Sequence, residues 1–141
     1  MFRRLASIFM VLCCLPLSRA DVTLVRDGSA QAVIVTPDRP TCVVAYAAEE
    51  LARHVRKACG MKLEIVTESA VKAGPRIYLG PCRESGIDVG KLDAEAFVLR
   101  VTDSALFIVG NDGGGDPLDA DTRAGTLWGV YEWLDRDLGV R

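Results

Sequence analysis

The chain has 141 residues, of which 50% are hydrophobic, 26% are charged and 6% are aromatic, and its formal net charge is −2. This length suits one domain and is too short for a complete (β/α)₈ barrel, which needs roughly 250 residues. The composition excludes intrinsic disorder, a long coiled coil and a collagen-like fibre.

The beginning of the chain has the pattern of a secretory signal. Two arginines precede an apolar run at 5–17, and small residues just before Asp21 suit cleavage there. The run is shorter than the ~20 apolar residues needed to cross a bilayer. We therefore predict that residues 1–20 are a signal peptide and that the exported protein keeps no stable membrane span. A lipoprotein signal at Cys13 or Cys14 is the weaker alternative.

Removal of this segment changes the charge and the cysteine count. Three of the 17 basic residues lie within it, so the other 121 residues carry 14 basic and 19 acidic side chains, a net charge of −5. An acidic balance predicts no binding to nucleic acid. The remaining cysteines, Cys42, Cys59 and Cys82, follow no disulfide or zinc spacing, and buried free thiols are the simplest interpretation. Cys42 and Cys59 are too far apart to bridge if one helix spans both, about 25 Å, whereas Cys82 remains able to pair with either.

The predicted elements begin with a hairpin and a helix. Residues 22–26 and 32–36 are short β-branched runs on either side of a turn signal at 27–29, which predicts that they pair. From residue 41 to 59 the apolar residues recur at helical spacing. Gly60 is placed to end this helix in the left-handed conformation.

Further strands and a second helix follow. Four runs are short, apolar and bounded by turn signals, and the last two of them predict an antiparallel hairpin. These runs are 62–67, 76–80, 96–102 and 106–109. Apolar residues from Leu127 to Leu138 then recur at helical spacing and predict a helix that ends at Gly139. The sequence thus predicts an α/β fold: a mixed, partly antiparallel sheet of about six strands, with two long helices packed on one face.

The first helix carries few candidates for chemistry. His54 is the only histidine in the chain; it lies four residues after Glu50, and we interpret it as a solvated helix side chain. A serine or cysteine nucleophile would need this histidine as its base, and no Gly-x-Ser-x-Gly elbow is present. We therefore predict no hydrolytic triad. Glu49 and Arg53 have the i,i+4 spacing of a helical salt bridge.

Two groups of carboxylates are candidate sites. The loop at 110–121 holds four aspartates among glycines, but its spacing does not match a calcium loop, so a flexible solvated loop is the better interpretation. Glu132 and Asp135 share a face of the second helix, as the paired carboxylates of a glycosidase could. No sequence feature supplies the concave site that such catalysis needs. The sequence therefore assigns no catalytic, cofactor-binding or metal-binding residue.

The second helix has features of a packing element. Gly125 and Gly129 are four residues apart, so they share a helix face and permit the close approach of another backbone, at a cost of about 1 kcal/mol each relative to alanine. Its aromatic residues Trp128, Tyr131 and Trp133 are interpreted as core or interface residues rather than as a platform for sugars.

The block GTLWGVYEWL at 125–134, followed by LGVR at 138–141, resembles the G-T-L-Y-G-V-Y-x-F-L-E … L-G-V-R signature that closes the N-terminal domain of alpha-glucuronidase-like and bacterial beta-hexosaminidase-like glycoside hydrolases. Related secreted proteins of uncharacterised activity share it. The helix–strand unit at 47–65 resembles an earlier block of that domain, as do three strands in the same order. Together these blocks cover nearly all of residues 22–141.

This resemblance implies that residues 21–141 are an α/β domain that precedes a (β/α)₈ barrel, and that the barrel, absent from this chain, holds the catalytic carboxylates. No active-site motif of the family maps onto this chain, so no catalytic residue and no cofactor is carried over. The expected function is that of a noncatalytic accessory domain, here a fragment, of a secreted protein that degrades carbohydrate. Its last helix would pack on the missing barrel and would expose an apolar patch in the isolated domain. The alternative is a complete small exported module that binds carbohydrate or protein.

Overall fold

The computed structural model describes residues 21–140, so the predicted signal peptide lies outside the described residues. A five-stranded sheet is covered on one face by two helices and is preceded by a two-stranded ribbon. The ribbon consists of β1 (Val25–Arg26) and β2 (Ser29–Ala30). The strands of the main sheet are β3 (Val33–Thr36), β4 (Ile65–Thr67), β5 (Arg76–Leu79), β6 (Phe97–Val101) and β7 (Ala105–Gly110). The helices are α1 (Cys42–Cys59) and α2 (Gly125–Leu138). The predicted α/β class with a mixed sheet is confirmed.

The main sheet is parallel except at one edge. Its strand order is β4-β3-β5-β7-β6, and only β6 runs antiparallel to its neighbour. The predicted antiparallel hairpin of the last two strands is confirmed by the pairing of Val98 with Val109. Because β3 and β7 are parallel and each is followed by a helix, α1 and α2 both begin at the carboxyl edge of the sheet.

The predicted pairing of residues 22–26 with 32–36 is wrong. Val25 pairs with Ala30 instead, across a turn in which Asp27 and Gly28 have φ values of 50° and 71°. Val33–Thr36 lies between β4 and β5 and is parallel to both. Its two central side chains are fully buried on opposite faces of the sheet, which is the environment of a central parallel strand and not of a surface hairpin.

The sheet has an apolar layer on each face. The layer toward the helices includes Ile34, Ile77, Leu79, Leu106 and Ile108. On the other face the rings of Tyr78 and Phe107 stack with their centroids 5.0 Å apart. Cys82, Ile87 and Val89, from the segment that connects β5 to β6, pack on this second layer. That segment forms two short 3₁₀ turns, Arg83–Ser85 and Val89–Lys91, and it covers the face that the helices leave open.

The helices end where the sequence predicts. The Thr41 side chain accepts a hydrogen bond from the Val44 N–H at 3.2 Å, which caps the start of α1. Gly60, with φ 78°, and Gly139, with φ 64°, end the two helices in the left-handed conformation. In the part of the chain from residue 21 to 140, neither helix is long and apolar enough to cross a membrane.

α2 begins where its backbone touches the end of β7. A Cβ placed on Gly110 would lie 2.1 Å from the carbonyl carbon of Gly125, and a Cβ on Gly125 would lie 2.6 Å from the carbonyl oxygen of Ala96. One turn later, a Cβ on Gly129 would lie 2.7 Å from Cγ2 of Ile108. The close approach predicted from these helix glycines is confirmed: backbone meets backbone at Gly125, and side chains of the sheet fill the space at Gly129.

Replacement of Gly125 by alanine tests this contact. Helix propensity alone would favour alanine by about 1 kcal/mol, but the added Cβ would overlap the backbone of Ala96 and Asn111. We therefore expect Gly125→Ala to lower the free energy of unfolding in urea by about 2–3 kcal/mol. Gly114→Ala is the control, since nothing lies within 4 Å of its added Cβ. Equal stability of the two variants would contradict the contact.

Candidate interaction surface

The outer face of α2 exposes a large aromatic side chain. Trp128 is 48% exposed, whereas Trp133, on the inner side of the helix, is 8% exposed and belongs to the core. The ring of Trp128 lies beside that of Tyr131, with 6.1 Å between the centroids and an angle of 54° between the planes. Leu138, at the end of the helix, is also exposed. Two large apolar side chains of the last helix, Trp128 and Leu138, are thus exposed.

Tyr131 connects α2 to a buried carboxylate of α1. Its hydroxyl donates to Oε2 of Glu50 at 3.0 Å. Arg53 donates to the same carboxylate from Nε at 3.0 Å and from Nη2 at 2.5 Å. Glu50 is only 6% exposed, and Nε2 of His54 lies 3.6 Å from its Oε2. We call Glu50, Arg53, His54 and Tyr131 the Glu50 cluster.

Two predictions about α1 are corrected by this cluster. Arg53 pairs with Glu50, not with Glu49. Glu50 lies on the flank of α1 that faces α2, where its carboxylate is buried and needs partners, whereas Glu49 is exposed to water. The His54 side chain is 20% exposed and therefore only partly solvated, because it lies on the same flank.

The electrostatics of the cluster are set by two opposing effects. Burial disfavours the charged form of Glu50, but the hydrogen bonds from Arg53 and Tyr131 outweigh it and hold the pKa of this carboxyl below its usual value. Burial and the hydrogen bond to Glu50 raise the pKa of Tyr131 to about 12. At neutral pH, Glu50 is therefore ionised and the Tyr131 hydroxyl is a neutral donor.

A groove lies between the two helices beside this cluster. It has a volume of about 460 Å³ and is lined by His54, Tyr131, Leu134, Asp135 and Val140. Val140 reaches the groove because the chain turns back after the helix, where its N–H donates to the carbonyl of Leu134 at 3.1 Å. We call Trp128, the Glu50 cluster and Val140 together the helix-pair surface.

The two carboxylates considered for glycoside hydrolysis lie on this same outer face. Glu132 and Asp135 are both exposed. Asp135 lines the groove and Glu132 does not. The structure therefore does not enclose them in one concave site, which is what general acid catalysis by one of the pair would need.

The aspartate-rich loop holds the start of α2. Oδ1 of Asp112 accepts a hydrogen bond from the Thr126 N–H at 2.7 Å, and Oδ2 accepts one from the Thr126 hydroxyl at 2.6 Å. Ala124, the residue directly before the helix, offers no side-chain cap, so Asp112 supplies it from a distance. Burial raises the pKa of Asp112, although these hydrogen bonds oppose the rise. The expectation of a flexible solvated loop is wrong at Asp112, which is held against α2. The sequence carried one signal for this contact, because no capping residue precedes Gly125.

Two other aspartates of the loop, Asp116 and Asp119, serve local turns. Oδ1 of Asp116 accepts a hydrogen bond from the Leu118 N–H, and Oδ1 of Asp119 accepts one from the Asp121 N–H. Over residues 21–140, no group of three or more His, Cys, Asp or Glu side chains is arranged to hold a metal ion. The geometry of the loop is thus accounted for by turns and by the cap of α2.

The three cysteines lie in different environments. Cys82 is buried, and burial together with the nearby carboxylates of Glu68 and Asp38 raises the pKa of its thiol to about 12. Cys42 and Cys59, at the two ends of α1, are exposed, so the prediction of buried thiols holds only for Cys82. A second groove, of about 680 Å³, runs past Cys59 between the carboxyl ends of the helices. No histidine is among its lining residues.

Removal of the Tyr131 hydroxyl tests the link between the helices. A hydrogen bond to a buried charged group is lost in Tyr131→Phe, so we expect a loss of about 1–2 kcal/mol in the free energy of unfolding at pH 7. The folded-state pKa of Glu50 is lowered, so the stability it contributes is present above its ordinary value of 4.5 and is lost as the pH falls through the folded-state pKa. The difference in the free energy of unfolding between the wild type and Tyr131→Phe should therefore become smaller as the pH falls below 4.5. Tyr46→Phe is the matched control, and a gap that stays constant down to pH 3 would contradict this reasoning.

No protein-family model matches the chain, and no curated protein matches it. Solved structures do match it. One is a GH138 enzyme targeting pectin rhamnogalacturonan II, with 19% sequence identity and a TM-score of 0.50; the match covers 75% of this chain and 10% of that chain. Another is a GH115 4-O-methyl-alpha-glucuronidase with specificity for decorated arabinogalactans, with 23% identity and a TM-score of 0.52; the match covers 80% of this chain and 14% of that chain.

At these identities the similarity shows the fold alone. Residues 21–140 have an α/β fold that also occurs as a small part of two glycoside hydrolases. This chain matches only 10% and 14% of their lengths. The comparisons therefore agree with the resemblance of the sequence blocks at the level of a glycoside-hydrolase-like fold.

Proposed function

We propose that this chain is a noncatalytic accessory domain of a larger exported glycoside-hydrolase-like protein, and that its helix-pair surface packs against a (β/α)₈ barrel that follows it. The observation that carries the proposal is the match of 75–80% of the chain to only 10–14% of two glycoside hydrolases. The sequence blocks that resemble the N-terminal domain of alpha-glucuronidase-like and beta-hexosaminidase-like enzymes support the same assignment. The enzymatic role would then belong to the rest of the longer protein.

The use of the buried ionisable groups supports a noncatalytic role. Glu50 is held by Arg53 and Tyr131, and Asp112 is occupied by the start of α2. The Cys82 thiol is kept protonated by its surroundings, whereas a nucleophilic cysteine needs a lowered pKa. Each of these groups is engaged in holding the fold, which leaves none of them placed as a catalytic acid, base or nucleophile.

The exposed aromatic residue supports a packing role for the helix pair. Trp128 stands half-exposed on α2 beside Tyr131, and its large apolar ring would gain from burial against a partner. Tryptophan, tyrosine and arginine are also the residue types enriched at the centres of interfaces, and all three occur together on the helix-pair surface. A covering domain would remove this apolar area from water.

An activity assay tests the noncatalytic role. We expect residues 21–141 to release no sugar above background from pectin or arabinogalactan, and glycoside hydrolysis to require a gene product that extends past residue 141. Glu132→Gln and Asp135→Asn are the matched variants. Turnover by the short chain that disappears in either variant would overturn the proposal.

The alternative function, a complete small binding module, makes a different prediction for residues 21–141 and for their gene. A complete binding module would have a stop codon directly after codon 141, and residues 21–141 would bind a glycan or protein on their own. An open reading frame that continues with alternating strand and helix patterns favours the accessory domain instead.

We also propose that residues 1–20 direct export and are removed before Asp21. N-terminal sequencing of the protein from the periplasm or medium should then begin at Asp21. Leu12→Arg should block export, because a charge interrupts the apolar run, whereas Ser29→Arg, at an exposed position of β2 in the ribbon, should not. Recovery of exported protein that retains its first twenty residues would contradict cleavage at this site.

A further inference from the structure

We propose that Trp128 and Arg53 are the two anchors by which the helix pair binds the following domain, and that this domain offers an apolar pocket to Trp128 and a neutral acceptor oxygen to Arg53. This inference rests on the proposed function and specifies how its interface is made. It follows from four observations on the helix-pair surface.

The first observation is that Trp128 has an aromatic neighbour within the domain before any partner binds. Its ring lies against Tyr131, and Tyr131 is fixed by its hydrogen bond to Glu50. This contact reduces the conformational freedom that the side chain has to lose on binding, and the free energy spent on ordering side chains lowers the affinity of an interface. An indole that is 48% exposed still has a large apolar area to bury in a partner pocket.

The second observation is that Arg53 has N–H donors that Glu50 does not use. Its Nε and Nη2 are used on the Glu50 carboxylate, and Nη2 also lies 3.3 Å from Nε2 of His54. Nη1 donates no hydrogen bond to another residue in the range 21–140. The side chain is 50% exposed, so a partner can reach it. The rigid guanidinium group then presents its remaining N–H groups in a fixed direction.

The third observation concerns charge. Glu50 already neutralises Arg53 in a two-point contact, so a second carboxylate from the partner would bring excess negative charge to a site that the interface removes from water. A backbone carbonyl or a side-chain amide oxygen satisfies the free N–H groups without that excess. We therefore infer a neutral acceptor.

The fourth observation identifies the occupant. Val140 returns to the groove beside Tyr131 and His54, so residues that follow it in a longer protein start from the helix-pair surface itself. A domain joined at this point has a high effective concentration at the surface, which a second copy or a free partner lacks. The following domain is thus the occupant that the geometry favours.

The experiment uses the full-length gene product and measures protease cleavage of the junction just after Val140. Cleavage of such a junction tracks the population in which the two domains have separated. We expect Trp128→Ala to accelerate cleavage by at least about tenfold, as for an interface anchor. Arg53→Lys keeps the charge beside Glu50 but loses the fork of donors, and it should accelerate cleavage by a smaller factor. The matched controls are Leu118→Ala, an exposed apolar residue in the loop, and Arg56→Lys, an exposed arginine of α1; neither should change the rate.

The outcomes separate this inference from the proposed function. If the reading frame ends at codon 141, or if the short chain is itself an active glycosidase, the proposed function fails before any variant is made. If a following domain exists but the junction in Trp128→Ala is cleaved at the wild-type rate, or no faster than in the controls, Trp128 is not an anchor. The inference is then overturned, and the proposed accessory role stands. If Trp128→Ala instead splits a dimer of the full-length protein, a second copy is the occupant and the inference is overturned. Hydrogen exchange of the β3 and β5 amides, unchanged in every variant, checks that the domain stays folded.

Discussion

The position of α2 depends on the backbone contact between Gly110, at the end of β7, and Gly125, at the start of the helix. Two backbones that touch restrict both the rotation and the sliding of the helix on the sheet. Asp112 adds to this restriction, because its carboxylate binds the N–H and the hydroxyl of Thr126. Once the first turn is held, the rest of α2 follows at helical spacing. The spacing brings Tyr131 to Glu50 and turns Trp128 outward.

The Glu50 cluster is a second constraint on the position of α2, and it is polar, unlike the backbone contact at Gly110 and Gly125. Most of the area between the helices and the sheet is apolar, and apolar packing alone tolerates alternative arrangements. A buried carboxylate tolerates fewer arrangements, because an arrangement that left its charge unpaired would be strongly destabilising. The hydrogen bond from Tyr131 on α2 ties the separation of the helices to the position of this carboxylate, which the two hydrogen bonds from Arg53 hold within α1.

The helices were predictable because their ends are local events. Thr41 and Gly60 mark α1 through hydrogen bonds that span three or four residues. The partner of Arg53 was not predictable in the same way, since spacings of three and four residues are both favourable on a helix and only the packing of α2 decides which carboxylate is buried. The strand at Val33–Thr36 was predicted correctly, but its partner was not. Its apolar run follows a turn signal that favours a local hairpin, whereas its partners β4 and β5 come later in the chain.

By itself, the sequence determined which segments form helices, where those helices end and which glycines permit close contact, because these properties depend on neighbours within one or two turns. It also supplied the resemblance that points to a glycoside-hydrolase-like fold. Only the tertiary structure decided the order of the strands, the capping of α2 by Asp112 and the contact between Glu50 and Tyr131, which are 81 residues apart. It also decided that Trp133 is buried and Trp128 is exposed. These outcomes depend on which side of each element meets the sheet, and that is settled by contacts between segments far apart in the chain.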